Sequence, residues 1–193
     1  AVIEVSGRIT GPQIKDIYVD ANNLAGDAIR ILSSYRGSFK RLHAMNWTRR
    51  GIILGIQENP LADSWYSSRN IFEDCESAGS NDNTLENAQR AWVIGGSAGG
   101  GRRNGVWGNI FIGCHGSVAR TLTPGITPGA LHLGYADSNL FLKCDFGLYA
   151  TPLLPEDIFK IDVVGLEATN GTGLEDGATI RLRSGLVGVS VNS

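Results

Sequence analysis

Three hexapeptides in this chain follow one pattern, Asn-[Ile/Leu]-Phe-x-x-Cys: Asn70-Ile71-Phe72-Glu73-Asp74-Cys75, Asn109-Ile110-Phe111-Ile112-Gly113-Cys114 and Asn139-Leu140-Phe141-Leu142-Lys143-Cys144. A motif that returns in this way confines a chain to architectures of like units, each of which buries its apolar face only against its neighbours. A second element keeps step with the first. The interval from Asn70 to the start of Ala91-Trp92-Val93-Ile94-Gly95 equals that from Asn109 to the start of Ala130-Leu131-His132-Leu133-Gly134. The first motif-to-motif interval is nine longer than the second, and the difference falls in the Gly/Arg stretch from Gly96 to Gly108.

The amino-terminal part carries the same grammar with shorter connectors. Ile17-Tyr18-Val19-Asp20 precedes Gly26-Asp27-Ala28-Ile29-Arg30-Ile31, and Phe39-Lys40-Arg41-Leu42 precedes Gly51-Ile52-Ile53-Leu54-Gly55, so that Gly26 and Gly51 read as the same point of two successive units. The segments are short and β-branched or aromatic, and Gly, Asn, Asp and Ser separate them with little helical periodicity. The 26 glycines then gain a role as punctuation, with Gly26, Gly51, Gly95 and Gly134 placed at turns that close successive coils. Apolar residues at 42%, only six prolines and no Gly-X-Y period argue against collagen and disorder. The expected fold is all-β, a right-handed parallel β-helix of about five or six coils over residues 1–146. Residues 147–193, with strands at Ile158–Val164, Ala178–Arg183 and Leu186–Val191, form either the last coils or a small β cap.

Stacking gives each repeated residue a job. Neighbouring strands lie ~4.8 Å apart, so Asn70, Asn109 and Asn139 form a column at a turn, where asparagine tolerates a left-handed backbone and its amide bonds the coils above and below. Phe72, Phe111 and Phe141 form a second column, and Cys75, Cys114 and Cys144 a third. In-register side chains point the same way, so the cysteines read as small core thiols rather than a bridge. Strict alternation sets Phe111 on the face opposite Ile110, Ile112 and Cys114, which leaves an apolar outer face to be covered by loops or another subunit; a bulge instead brings Phe and Cys to one side. The sequence leaves both arrangements open.

Several function classes are disfavoured. A formal charge of -2 supplies no strong field for nucleic acid, and no apolar run approaches the ~20 residues of a membrane span. The cysteines lack a C-x-x-C pair and His43, His115 and His132 are far apart, so no metal site and no cofactor is expected. Gly99-Gly100-Gly101-Arg102-Arg103-Asn104-Gly105 lacks the spacing of a phosphate loop or dinucleotide fingerprint. The opening Ala1, with no signal segment, reads as a piece of a longer polypeptide.

The run from Ile14 to Asn23, followed by Gly26 to Ile31 and Gly51 to Leu54, resembles the central coils of pectate-lyase-like β-helix proteins, and in style most of all those of bacteriophage tailspikes and tail fibres. The resemblance covers roughly residues 12–146 and lies in the repeat grammar. It implies a homotrimer in a virion, in contact with other virion proteins and facing a surface polysaccharide, or alternatively a secreted polysaccharide lyase or glycoside hydrolase.

Within that group a hydrolase needs two or three carboxylates converging on one groove, roughly 5–10 Å apart. Glu73, Asp74, Asp137 and Asp145 are the candidate acids, with solvated turn residues as the plainer account, and Lys143 near Asp145 is the nearest basic pairing for a lyase. Trp65, Tyr66 and Trp107 precede ladder strands and offer faces on which sugar rings stack, whereas Trp92 fits the core better. Arg102 and Arg103 suit an acidic polysaccharide. The expectation is a non-catalytic virion β-helix whose loops recognise a surface glycan.

Overall fold

Phe72, Phe111 and Phe141 stand opposite one another on adjacent parallel strands, so the intervals between the three motifs are strand registers. The computed structural model describes residues 1–7, 9–55, 67–80, 89–95, 106–119, 129–133, 136–137, 139–149, 160–163, 180–183 and 190–192. The nine-residue expansion between Gly96 and Gly108 falls largely outside them, as does Gly134.

The strands succeed one another in rounds. The first holds Ile3–Val5 (β1), Ile9–Thr10 (β2) and Gln13–Asp20 (β3), and the second Asp27–Ile31 (β4), Ser34–Tyr35 (β5) and Ser38–Trp47 (β6). The third holds Arg50–Leu54 (β7), Ser67–Ser68 (β8), Ile71–Glu73 (β9) and Glu76–Gly79 (β10). The fourth holds Arg90–Ile94 (β11), Val106–Trp107 (β12), Ile110–Ile112 (β13) and His115–Ala119 (β14). The fifth holds Gly129–Leu133 (β15), Ala136–Asp137 (β16), Asn139–Leu142 (β17) and Asp145–Tyr149 (β18), and Lys160–Val163 (β19), Ile180–Arg183 (β20) and Ser190–Asn192 (β21) follow.

Three sheets collect these strands in rotation. One runs β1-β4-β7-β11-β15-β19-β21, a short one β2-β5-β8-β12-β16, and a long one β18-β14-β10-β6-β9-β13-β17-β20 with β3 also on β6. Every pairing among the described strands is parallel. The chain is thus all-β, with parallel strands in curled sheets, and no helix among the described residues is long and apolar enough to cross a membrane. β19, β20 and β21 extend the two larger sheets in the same parallel sense.

The core lies between the sheets. Phe39, Phe72, Phe111 and Phe141 stack face to face with centroids 4.7, 4.9 and 4.7 Å apart, and Trp92 meets Phe72 and Phe111 edge-on at 6.0 and 5.7 Å. Trp92 is a core residue, its Nε1 donating to the His115 carbonyl at 2.9 Å. The alternation question is also decided: Phe111 and Cys114 are both buried while Ile110 and Ile112 are half-buried. A left-handed residue between Phe and Cys makes this possible, since it inserts the half-turn that returns Cys to the core side. Asp16, Arg41, Asp74, Gly113 and Lys143 occupy this position in five successive rounds, with φ between 51 and 60.

Two glycine readings need correcting. Ile29 faces Ile52 and Asp27 faces Arg50, so Gly51 is in register with Ala28, Ala91 and Ala130, and Gly26 lies opposite Arg49 instead. Gly51 closes no turn; it lies inside β7, where a Cβ would approach Ser77 Oγ at 1.7 Å, Trp47 Nε1 at 2.6 Å and the Ala91 carbonyl at 2.7 Å. It is small because Trp47 fills the space, as Gly116 is small because Trp92 and Phe146 do. Gly51→Ala is expected to cost about 2–3 kcal/mol by overpacking, read as a lowered urea midpoint at unchanged slope.

Candidate functional site

The Asn column is built differently from expectation. Asn70 and Asn109 are not left-handed; the residues before them, Arg69 and Gly108, are, with φ of 56 and 65, as are Gly11 and Arg36 at the same position of earlier rounds. The turn is made one residue earlier, and the asparagine is freed to link rounds. Asn70 Nδ2 donates to the Ser34 carbonyl at 3.1 Å and to Asn109 Oδ1 at 2.9 Å, and Asn109 Nδ2 donates to the Ser67 carbonyl at 3.1 Å and to Asn139 Oδ1 at 2.9 Å. Each oxygen also accepts a backbone N–H: that of Asn70 on Asn109 at 3.0 Å, that of Asn109 on Asn139 at 3.0 Å, and that of Gly37 on Asn70 at 2.7 Å. The three cysteines are unbridged thiols, all buried. Their thiols donate weakly to the carbonyl of the phenylalanine one round back, at 3.4–3.6 Å. The neighbouring Cys144 and Cys75 thiols, with burial, push the Cys114 thiol well up, whereas the hydrogen bond with Cys114 draws the Cys75 thiol down; all three thiols lie buried in the core, where they pack.

The candidate acids are dispersed. Glu73 binds Lys40 Nζ at 2.5 Å, one rung of a charged face on the long sheet that also pairs Asp16 with Arg41 and His43 with Glu76. Asp74 is an exposed left-handed corner residue. Asp145 falls in register with His115 and, one strand on, Glu76, whereas Asp137 belongs to the short sheet, in register with Trp107. No two of the four therefore hold the same register position across neighbouring strands. Among the described residues no group of three or more His, Cys, Asp or Glu is placed to hold a metal ion.

The deepest charge among the described residues lies elsewhere. Asp27, 4% exposed, receives Nε and Nη2 of Arg50 at 2.8 and 2.6 Å and Nε of Arg30 at 3.0 Å, with Arg49 at 3.3 Å. Burial alone would raise its carboxyl, but the bonded guanidinium groups of Arg50 and Arg30 and the charges of Arg50 and Arg49 hold it well below the usual carboxylate range. A depressed folded value contributes stability that is fully present above the unfolded value of about 4 and is lost as pH falls below it. Urea midpoints should therefore fall between about pH 4 and pH 2, and Asp27→Asn should flatten that limb while lowering stability at neutral pH.

Trp65, Tyr66, Arg102 and Arg103 lie outside the described residues. Trp107 does not, and its neighbours are the strongest feature of the described surface. Register places Tyr35, Ser68, Trp107 and Asp137 on successive rungs of the short sheet, and the first three are each followed by a member of the left-handed column, Arg36, Arg69 or Gly108. The Arg69 guanidinium lies 5.9 Å from the Tyr35 ring centre and 5.4 Å from that of Trp107, Arg36 lies 4.9 Å from Tyr35, and Arg69 Nη1 donates to the Tyr35 hydroxyl at 3.3 Å. The result is a corner of half-buried rings interleaved with exposed cations. Sequence reading found Trp107 but missed Tyr35, Arg36 and Arg69. A signal existed: Ser34-Tyr35-Arg36-Gly37-Ser38-Phe39 aligns with Ser67-Ser68-Arg69-Asn70-Ile71-Phe72, a fourth copy of the repeat without its asparagine and cysteine.

No protein-family model, no curated protein and no solved structure matches this chain.

Proposed function

We propose that the chain is a right-handed parallel β-helix that serves as a non-catalytic, glycan-recognising part of a virion, a tailspike, fibre or capsid-associated protein that associates as a trimer. The rotation of the chain through three parallel sheets supports the solenoid, and parallel crossover connections are right-handed in nearly all proteins. The virion setting and the trimer rest on the resemblance to tailspike coils in the repeat grammar.

The observation that carries the functional reading is the Tyr35–Arg69–Trp107 corner. Aromatic faces held rigidly beside hydrogen-bond donors suit sugar rings, which offer an apolar face and a polar rim. A glycoside hydrolase would need a convergent carboxylate pair, and Glu73, a candidate acid with a described partner, is joined to Lys40. Binding without turnover is the expected behaviour. Titrating the protein with a panel of bacterial capsular and O-antigen polysaccharides should change its tryptophan fluorescence, and Trp107→Ala should weaken the responsive interaction about tenfold or more. Reducing ends or unsaturated sugars in the same mixtures would contradict the non-catalytic reading. Light scattering should give three times the 20.6 kDa of one chain.

A further inference from the structure

Arg36 and Arg69 stand apart from Arg30, Arg49 and Arg50, which converge on Asp27, and from Arg41, which binds Asp16. Both are exposed, and neither has a carboxylate partner among the described residues. Both also occupy a backbone conformation that is unfavourable for a side chain, with φ of 55 and 56, in a column whose other described members are Gly11 and Gly108. Glycine would hold the same corner without strain. Two arginines kept at a strained turn, laid against aromatic rings and offered no carboxylate by the described residues, act outward.

Resting on the glycan-binding reading above, we propose that Arg36 and Arg69 make this corner selective for glycans that carry an oxyanion, a uronate carboxylate or a sulfate ester. The guanidinium fork donates two parallel N–H bonds to such a group. Tyr35 and Trp107 restrict the rotation of the arginine planes, so less side-chain freedom is lost on binding than for a solvated lysine. Successive rungs repeat the cation at the strand spacing of ~4.8 Å, which suits a polymer with charge on successive residues better than a single sugar.

The test uses the full chain and three polymers: polygalacturonate for the carboxylate, dextran sulfate for the sulfate ester, and dextran as the neutral arm. Affinity electrophoresis at low and high salt is the readout, with the double variant Arg36→Gly/Arg69→Gly as the probe, because glycine preserves the left-handed corner and its folding is checked by circular dichroism. Binding of either charged polymer, weakened by salt and about tenfold or more by the double substitution, supports the proposal, and the arm that binds names the anion. Three results overturn it: dextran binding as tightly as the charged polymers, charged-polymer affinity unchanged in the double variant, or no retention by either charged polymer. A Trp107-dependent response to neutral polysaccharides in those cases leaves glycan binding standing without charge selection; no response to any polysaccharide removes both readings.

Discussion

Asn109→Ala is expected to destabilise the fold by about 4 kcal/mol, because a buried unsatisfied donor or acceptor costs about 1–3 kcal/mol and this change creates several. The Asn70 backbone N–H and one Asn70 Nδ2 hydrogen lose their acceptor, and the Ser67 carbonyl loses its donor. Asn109 has no exposed surface, so bulk water does not take over these bonds. A loss of that size is a large share of the ~5–15 kcal/mol that holds a domain together. Urea unfolding followed by circular dichroism gives the number. Asn46→Gly is the control that should cost far less, because it removes a surface bond to Asp20 and keeps a left-handed backbone. An Asn109 effect below about 1 kcal/mol would mean that the column contributes little to the fold.

Phe111→Ala should cost about 3–5 kcal/mol. Its ring is fully buried, stacked between Phe72 and Phe141 and met edge-on by Trp92, so its removal opens a cavity bounded by rigid rings that cannot collapse into it. Phe111→Leu, which keeps most of the volume, should lose much less. Phe39→Ala, with Phe72 as its stacking neighbour, should fall between the two. A flat profile along the column would contradict a continuous stack.

Much of this was legible in the sequence, for a physical reason: an amide that must bond the rounds on both sides is chemically hard to replace, so Asn70, Asn109 and Asn139 announce the register. The direction of the Phe and Cys side chains was not legible. It is set by the left-handed residue between them, and that position holds Asp16, Arg41, Asp74, Gly113 and Lys143, which share a backbone conformation and no chemistry. Gly26 and Gly51 misled on register because one lies opposite a turn and the other makes room for Trp47 inside a strand. The corner of Tyr35, Arg69 and Trp107 was hidden because its members come from three rounds, 34 residues separating the first two, and only stacking brings them together.

The central claim is the parallel, in-register stacking of these rounds, and nuclear magnetic resonance of the labelled protein tests it most directly. Through-hydrogen-bond couplings should join the Ile110 N–H to the Asn70 carbonyl and the Leu140 N–H to the Asn109 carbonyl, and the Asn70, Asn109 and Asn139 side-chain amides should be slow to exchange and close to one another. Hα–Hα contacts typical of antiparallel strands, or couplings at spacings other than these, would contradict it.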